Sequence, residues 1–144
     1  MKYIVSILTK LEDMLPHFEL VKQLQPELKK EHYEKNLPEM IACNYRMVVL
    51  IENNKIIALS GIWVATKMYC GKYIEMDNVV VDEKHRGKGI GKLLTDEIIR
   101  IGQGEGCVVA MLDAYLENEE AHGFYEREGF VKKGFHFIKK IHLK

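Results

Sequence analysis

The sequence is poor in cysteine and has no excess of charge of either sign. Its 144 residues include three cysteines, Cys43, Cys70 and Cys107. They form neither a C-x-x-C pair nor a zinc-ligand spacing, so we expect reduced thiols in a cytoplasmic protein rather than a disulfide framework or a metal site. The 21 Lys and Arg residues balance 21 Asp and Glu residues. This balance gives no indication of a nucleic-acid or membrane partner.

Long apolar runs are absent as well. No stretch approaches the length of a membrane span, and Met1 and Lys2 lead into a strand pattern rather than into a signal peptide. Apolar residues nonetheless make up 47% of the chain and charged residues 29%, which is typical of a folded domain. We therefore expect a single domain over residues 1–144 with a substantial core.

The chain alternates apolar strand patterns with amphipathic helix patterns. Strands are predicted over 2–8, 46–52, 55–67, 72–81, 108–114 and 135–143, and helices over 11–25, 27–43, after residue 89 and after Asn118. Asn53 and Asn54 indicate a hairpin turn, because asparagine tolerates positive φ. This order predicts a mixed α/β fold, with a mostly antiparallel central sheet and helices on both faces.

One segment indicates a phosphate site. The run Val79-Val80-Val81 leads to Arg86-Gly87-Lys88-Gly89-Ile90-Gly91-Lys92, where an amphipathic helix begins. This order places bare backbone N–H groups and the positive end of a helix dipole where a strand ends, as a phosphate or pyrophosphate requires. The spacing excludes a Walker A loop and falls one residue short of the dinucleotide fingerprint. The alternative is a strand-to-helix turn that binds nothing.

The loop fits the motif Arg/Gln-x-x-Gly-x-Gly/Ala and resembles that of the GCN5-related N-acetyltransferases (the GNAT family). A second segment resembles the family's Asn-x-x-Ala-x-x-Phe-Tyr-x-x-x-Gly-Phe pattern, through Asn118, Ala121, Phe124, Tyr125, Gly129 and Phe130. The resemblance covers positions 73–138 well and the N-terminal half in outline. It implies a single GNAT-like domain whose sheet is splayed between the fourth and fifth strands to admit acetyl-CoA.

The resemblance also implies how acetyl-CoA binds. The loop from Arg86 to Lys92 wraps its pyrophosphate, and the backbone of Val79–Val81 pairs with the pantetheine arm. The amide that follows a bulge in this strand, at Val79 or Val80, polarises the thioester carbonyl. Asn118, Ala121 and Phe124 complete the predicted cofactor contacts. The alternative is that Val79–Val81 only packs in the hydrophobic core, and we expect this of Val80.

Three residues are candidates for proton transfer. Tyr125 is the candidate general acid, because a phenol with a pKa of about 10 roughly matches a departing thiolate. Asp77 is the favoured base for the acceptor's ammonium group and Glu75 is the second choice, since they share one face of the strand. A water chain as base and a surface or capping role for both carboxylates are alternatives. His122 is either structural or a further polar group near Tyr125.

The acceptor is indicated only as a class. Glu27–Tyr33 forms either an acceptor cleft or a solvated helix face, and Trp63, Tyr69 and Tyr73 form either an aromatic wall or part of the core. The segment around His122 also resembles bacterial small-molecule acetyltransferases. We therefore expect an N-acetyltransferase that needs no metal and moves the acetyl group of acetyl-CoA directly to a small primary amine.

Two alternatives to this activity stay open, and so does the oligomeric state. The first alternative is an acyl-CoA-binding sensor without turnover. The second is an enzyme that acetylates protein N-termini or lysines. Aromatic residues in the tail favour a homodimer, because they end the sheet with an apolar face.

Overall fold

A computed structural model describes residues 2–142 of the chain. The chain consists of two compact units, one ending at Leu112 and the other beginning at Asp113. The first unit contains a five-stranded sheet and its covering helices, and the second contains one helix and an irregular tail. None of the described helices has the length and apolar character that crossing a membrane requires.

Strands and helices alternate in the first unit. In chain order they are β1 (Ile4–Leu8), α1 (Leu11–Met14), α2 (Phe18–Leu24), α3 (Lys30–Ala42), β2 (Arg46–Glu52), β3 (Lys55–Lys67), β4 (Gly71–Val81), α4 (Ile90–Gly104) and β5 (Val109–Leu112). Short 3-10 turns occupy Leu15–His17 and Glu83–His85. The helix predicted over 11–25 is therefore two helices. The first of these turns contains Pro16, which has no N–H to continue an α-helical ladder.

The strands form one mixed sheet in the order β1-β2-β3-β4-β5. Neighbouring strands are antiparallel except that β5 runs parallel to β4. Asn53 (φ 51°) and Asn54 (φ 63°) form the predicted β2–β3 hairpin turn. Among the described strands, β5 pairs with β4 only from Tyr73 to Met76. The splay expected between the fourth and fifth strands is thus present, beside the second half of β4.

Helices cover both faces of this sheet. One face packs against α1, α2 and α3 in a buried cluster of Met14, Phe18, Val21, Tyr33, Leu37, Tyr45, Met47, Val49, Leu59 and Val80. Because side chains alternate along a strand, Val48 and Leu50 lie on the opposite face. There α4 packs on the sheet, with Leu94 and Ile98 fully buried. The two buried faces hold β3 and β4 rigidly between layers of helices.

An arginine ties the far end of α4 to the sheet. Arg46, the first residue of β2, donates from Nη1 and Nη2 to the two carboxylate oxygens of Glu105, each at 2.8 Å. These hydrogen bonds lower the pKa of Glu105. A bidentate pair of this kind fixes direction as well as distance, so it fixes the orientation of α4 on the sheet.

The second unit contains α5 (Glu119–Arg127). As predicted, Asn118 caps its start, where Asn118 Oδ1 accepts from the backbone N–H of Ala121 at 3.1 Å, and Gly129 (φ 94°) follows its end. The strand predicted over 135–143 is wrong as far as His142, because residues 131–142 form no strand. Leu143 lies outside the described residues.

The failed strand prediction has a physical reason. Phe135, Phe137 and Ile141 alternate with polar residues, as an edge strand would, yet all three side chains are exposed. Alternation sets which way side chains point, but a strand exists only when a neighbour accepts and donates its backbone hydrogen bonds. Within residues 131–142 the structure contains no such neighbour.

Candidate active site

The glycine loop connects the end of β4 to the start of α4. The backbone N–H of Asp82 donates to the Ile57 carbonyl at 2.8 Å, and the chain then reverses at Gly87 and Gly89, both with φ of 77°. Gly89 is the N-cap of α4, and no side chain caps this helix end. The first N–H groups of a helix have no acceptor within the helix. The loop therefore presents an anion site at the positive end of the helix dipole.

The loop side chains divide into exposed cations and buried apolar groups. Arg86 and Lys88 are exposed, and Arg86 Nε donates to the Val81 carbonyl at 3.1 Å, which holds the guanidinium at the end of β4. Ile90 and Val80 are buried. Of the predicted cofactor contacts, these two can offer a ligand only their backbone.

A glutamine from α2 anchors the start of the loop, which sequence reasoning missed. Gln23 Nε2 donates to Asp82 Oδ1 and Gln23 Oε1 accepts from the Glu83 N–H, both at 2.9 Å. His85 Nδ1 lies 2.9 Å from Asp82 Oδ2. The Gln23 hydrogen bond, with help from His85, lowers the pKa of Asp82. No local pattern indicates this contact, because Gln23 and Asp82 are 59 residues apart.

A β-bulge interrupts β4 just before the loop. Leu59 pairs with Val80 and Gly61 pairs with Asp77, so Asn78 and Val79 together oppose one residue of β3. Asn78 takes a left-handed φ of 56°, which asparagine tolerates better than most residues. The bulge lies where the resemblance requires one before a carbonyl-polarising amide at Val79 or Val80.

The backbone of Val79–Val81 has a strand partner on one side only. β3 pairs with Val80 and Val81, whereas the β5 register ends where Met76 meets Leu112. Within the described strands, the other edge of Val79–Val81 therefore has no strand partner. An extended ligand can add to such an edge through main-chain hydrogen bonds.

The candidate bases lie just before the bulge. Asp77 Oδ2 accepts from the indole Nε1–H of Trp63 at 2.9 Å, and Glu75 is the strand partner of Trp63. The three candidate aromatic residues do not form a common wall. Tyr73 is buried in the sheet and Tyr69 is exposed, while Trp63 contacts the candidate base Asp77.

The second unit contains Tyr125. Its ring makes edge contacts with Phe124 and Phe130, with centroids 5.0 and 5.6 Å apart, and burial raises the pKa of Tyr125 to about 12. The phenol is thus protonated at neutral pH, although its proton affinity matches a thiolate of pKa about 8.5 less well than a free phenol would. His122 Nε2 donates to the Tyr115 carbonyl at 2.8 Å, which is a structural contact.

These features define a class of protein. An uncapped helix end behind a glycine loop, reached from an open strand edge, suits the pyrophosphate and extended arm of a nucleotide cofactor. A family model described as "Acetyltransferase (GNAT) family" matches residues 11–130. The chain belongs to this family, as the resemblance implied, and its members use acetyl-CoA as the acetyl donor. The described residues include no cluster of three or more His, Cys, Asp or Glu side chains arranged to hold a metal ion.

Individual relatives share an activity in their names. Glucosamine 6-phosphate N-acetyltransferase 1 of Dictyostelium discoideum is 33% identical over 90 residues, which cover 61% of this chain and 55% of that protein. The protein of the same name from Oryza sativa subsp. japonica is 28% identical over 122 residues, which cover 79% of this chain and 72% of that protein. The chain thus spans just over half the length of the Dictyostelium relative.

A solved structure matches over the whole chain. The crystal structure of glucosamine-6-phosphate N-acetyltransferase from Arabidopsis thaliana has a TM-score of 0.72 at 26% identity, and the match covers 99% of this chain and 100% of that one. The fold described above is therefore that of a solved member of the family.

Replacing Gly89 with valine tests the anion site. A side chain at a φ of +77° is strained even though no atom lies within 4 Å of the added Cβ, and its bulk would stand where a phosphate approaches. We expect the affinity for coenzyme A to fall roughly tenfold, the value of one charge-assisted hydrogen bond. Isothermal titration calorimetry measures this change.

Gly106 provides the matched control. It has a φ of +84°, equally open surroundings and a position just beyond the opposite end of α4. Gly106→Val should cost comparable stability, measured as a lower Tm, and leave the affinity for coenzyme A unchanged. Equal losses of affinity in the two variants would contradict a phosphate site in the loop.

Proposed function

We propose that this chain is an N-acetyltransferase that moves an acetyl group from acetyl-CoA directly to the primary amine of a small molecule, in a ternary complex. The observation that carries the proposal is the glycine loop at the uncapped end of α4, beside the open edge of β4. Membership of the family supports the reaction. The names of the relatives, which specify glucosamine 6-phosphate, support a small amine as acceptor.

Acetyl-CoA binds along one continuous stretch of backbone in this proposal. The amides of Gly87–Gly91 hold the pyrophosphate, and Arg86 and Lys88 balance its charge. The free edge of Val79–Val81 pairs with the pantetheine arm, and the amide of Val79 or Val80 donates to the thioester oxygen. Lys92, Asn118, Ala121 and Phe124 are assigned to the cofactor on the resemblance of their motifs.

The reaction needs a base and an acid. Asp77 takes a proton from the acceptor's ammonium group, with Glu75 on the same strand face as the second candidate. The neutral amine attacks the thioester carbon, the C–S bond of the tetrahedral intermediate breaks, and the departing thiolate takes its proton from Tyr125. The attacking nitrogen then loses its second proton, which restores the Tyr125 phenol through solvent. Asp77 is favoured because it lies two or three residues before the proposed carbonyl-polarising amide, which is that of Val79 or Val80.

An amine panel tests the proposed function. The purified protein is incubated with acetyl-CoA and, in turn, glucosamine 6-phosphate, glucosamine, a polyamine and a lysine-containing peptide, and thiol release is followed. We expect turnover with at least one small amine. Turnover with the peptide alone would contradict a small-molecule acceptor. Tight binding of acetyl-CoA without turnover on any amine would indicate that the protein is an acyl-CoA-binding sensor and not an enzyme.

Tyr125→Phe tests the proton donor. Removal of the hydroxyl leaves the aromatic contacts with Phe124 and Phe130 in place, so we expect an intact fold and a kcat lowered by roughly 10²-fold, the lower end of the range for general acid catalysis. Tyr115→Phe is the control, because the exposed Tyr115 side chain lies in the same unit; its kcat should not change. A Tyr125→Phe enzyme as fast as wild type would remove Tyr125 from the mechanism.

We also propose that the protein forms a homodimer through its tail. Phe135, Phe137, Ile138 and Ile141 are all more than three-quarters exposed, which is a larger apolar surface than a short tail normally leaves in water. Sedimentation equilibrium should give twice the chain mass of 16.7 kDa, and Phe137→Asp should shift the protein toward the monomer. A wild-type monomer at every concentration would contradict the dimer.

A further inference from the structure

The Asp77 carboxylate has one hydrogen-bond donor among the described residues. Trp63 Nε1 donates to Oδ2 at 2.9 Å, and within the described chain Oδ1 accepts no hydrogen bond. Trp63 and Asp77 form a diagonal pair across β3 and β4, because Trp63 is the register partner of Glu75 and Gly61 that of Asp77. One carboxylate oxygen is therefore fixed and the other is left for a ligand.

The indole ring is itself held in place. The Tyr45 ring packs against it, with centroids 4.9 Å apart at an angle of 52°, and Tyr45 is buried in the core. Gly61 provides the space for Tyr45, since a Cβ there would lie 2.2 Å from the Tyr45 hydroxyl oxygen. The direction of the indole N–H is thus set by the hydrophobic core and not by the carboxylate alone.

A residue at the end of α2 holds the backbone next to Asp77. Gln25, at the end of α2, donates from Nε2 to Asn78 Oδ1 at 2.8 Å. Asn78 is the left-handed residue of the bulge, so this contact stabilises the conformation that keeps Asp77 and Val80 on one face of β4.

We propose that Trp63 is a positioning residue for the reaction: its indole N–H fixes the Asp77 carboxylate so that Oδ1 points to the acceptor's ammonium group. The inference rests on the proposed function of Asp77 as the base. Donation to Oδ2 stabilises the ionised carboxylate at the moment it must be ready to accept a proton. The Tyr45 phenol lies close enough to Asp77 to interact with its charge, and β3 contributes the uncharged Trp63.

Removing the indole N–H tests the kinetic consequence. Trp63→Phe keeps an aromatic ring without the donor. Replacement of Trp63 by 3-benzothienylalanine keeps the shape and exchanges N–H for sulfur, and it alters no other position because the chain contains one tryptophan. Both changes should lower kcat roughly tenfold, the value of one charge-assisted hydrogen bond, and leave the KM for acetyl-CoA unchanged. The affinity for coenzyme A should stay at its wild-type value.

Fluorescence of the single tryptophan tests the pair without any turnover. Asp77→Asn removes the charge beside the indole, so we expect the emission maximum of this variant to differ from that of the wild-type protein. Glu75→Gln, at the strand position opposite Trp63, should retain the wild-type emission. Unchanged emission in Asp77→Asn, or a change only in Glu75→Gln, would overturn the proposal.

The two readouts separate the inference from the proposed function. An inactive wild-type protein whose emission still responds to Asp77→Asn would contradict the acetyltransferase and leave the Trp63–Asp77 contact in place. An active wild type, together with Trp63 variants that keep its kcat, would overturn the positioning role and leave the acetyltransferase intact. A lower Tm with an unchanged kcat would show that Trp63 acts on stability alone.

Discussion

The parallel pairing of β4 with β5 stops after Met76, and the rest of the site depends on this interruption. Beyond Met76, β4 keeps β3 as a partner on one side and leaves its other edge without a strand. That edge continues directly into the glycine loop and the uncapped end of α4. One stretch of backbone therefore offers strand hydrogen bonds and then a group of helix N–H donors. An extended thiol arm followed by a pyrophosphate needs these two features in that order.

The bulge at Asn78 lets the same strand serve the core and the proposed chemistry. Asp77 and Val80 are three residues apart, so in a regular strand they would lie on opposite faces. With the extra residue, Val80 packs in the core while Asp77 contacts Trp63. Gln25 holds the bulge through Asn78, and Tyr45 packs both in the core cluster and against Trp63. Stability and the geometry of the carboxylate consequently depend on shared side chains.

Short-range rules predicted the features whose partners lie close together in the chain. The Asn53-Asn54 turn, the Asn118 cap and the glycine loop each depend on a few consecutive residues, and the structure contains all three. The same rules failed to predict features that depend on a partner distant in the sequence. The strand predicted over 135–143 has no strand neighbour within the described residues, and the helix over 11–25 was predicted without the 3-10 turn at Pro16.

The sequence by itself determined the family and the position of the glycine loop, because both depend on which backbone positions lack a Cβ and which residues directly follow a strand. Only the tertiary structure decided which aromatic residue stands beside the candidate base. Trp63, rather than Tyr69 or Tyr73, donates to Asp77 because the β3–β4 register brings residues 14 positions apart together. That register is set by the bulge and by helix packing on both faces of the sheet, and neither is encoded in a short stretch of chain.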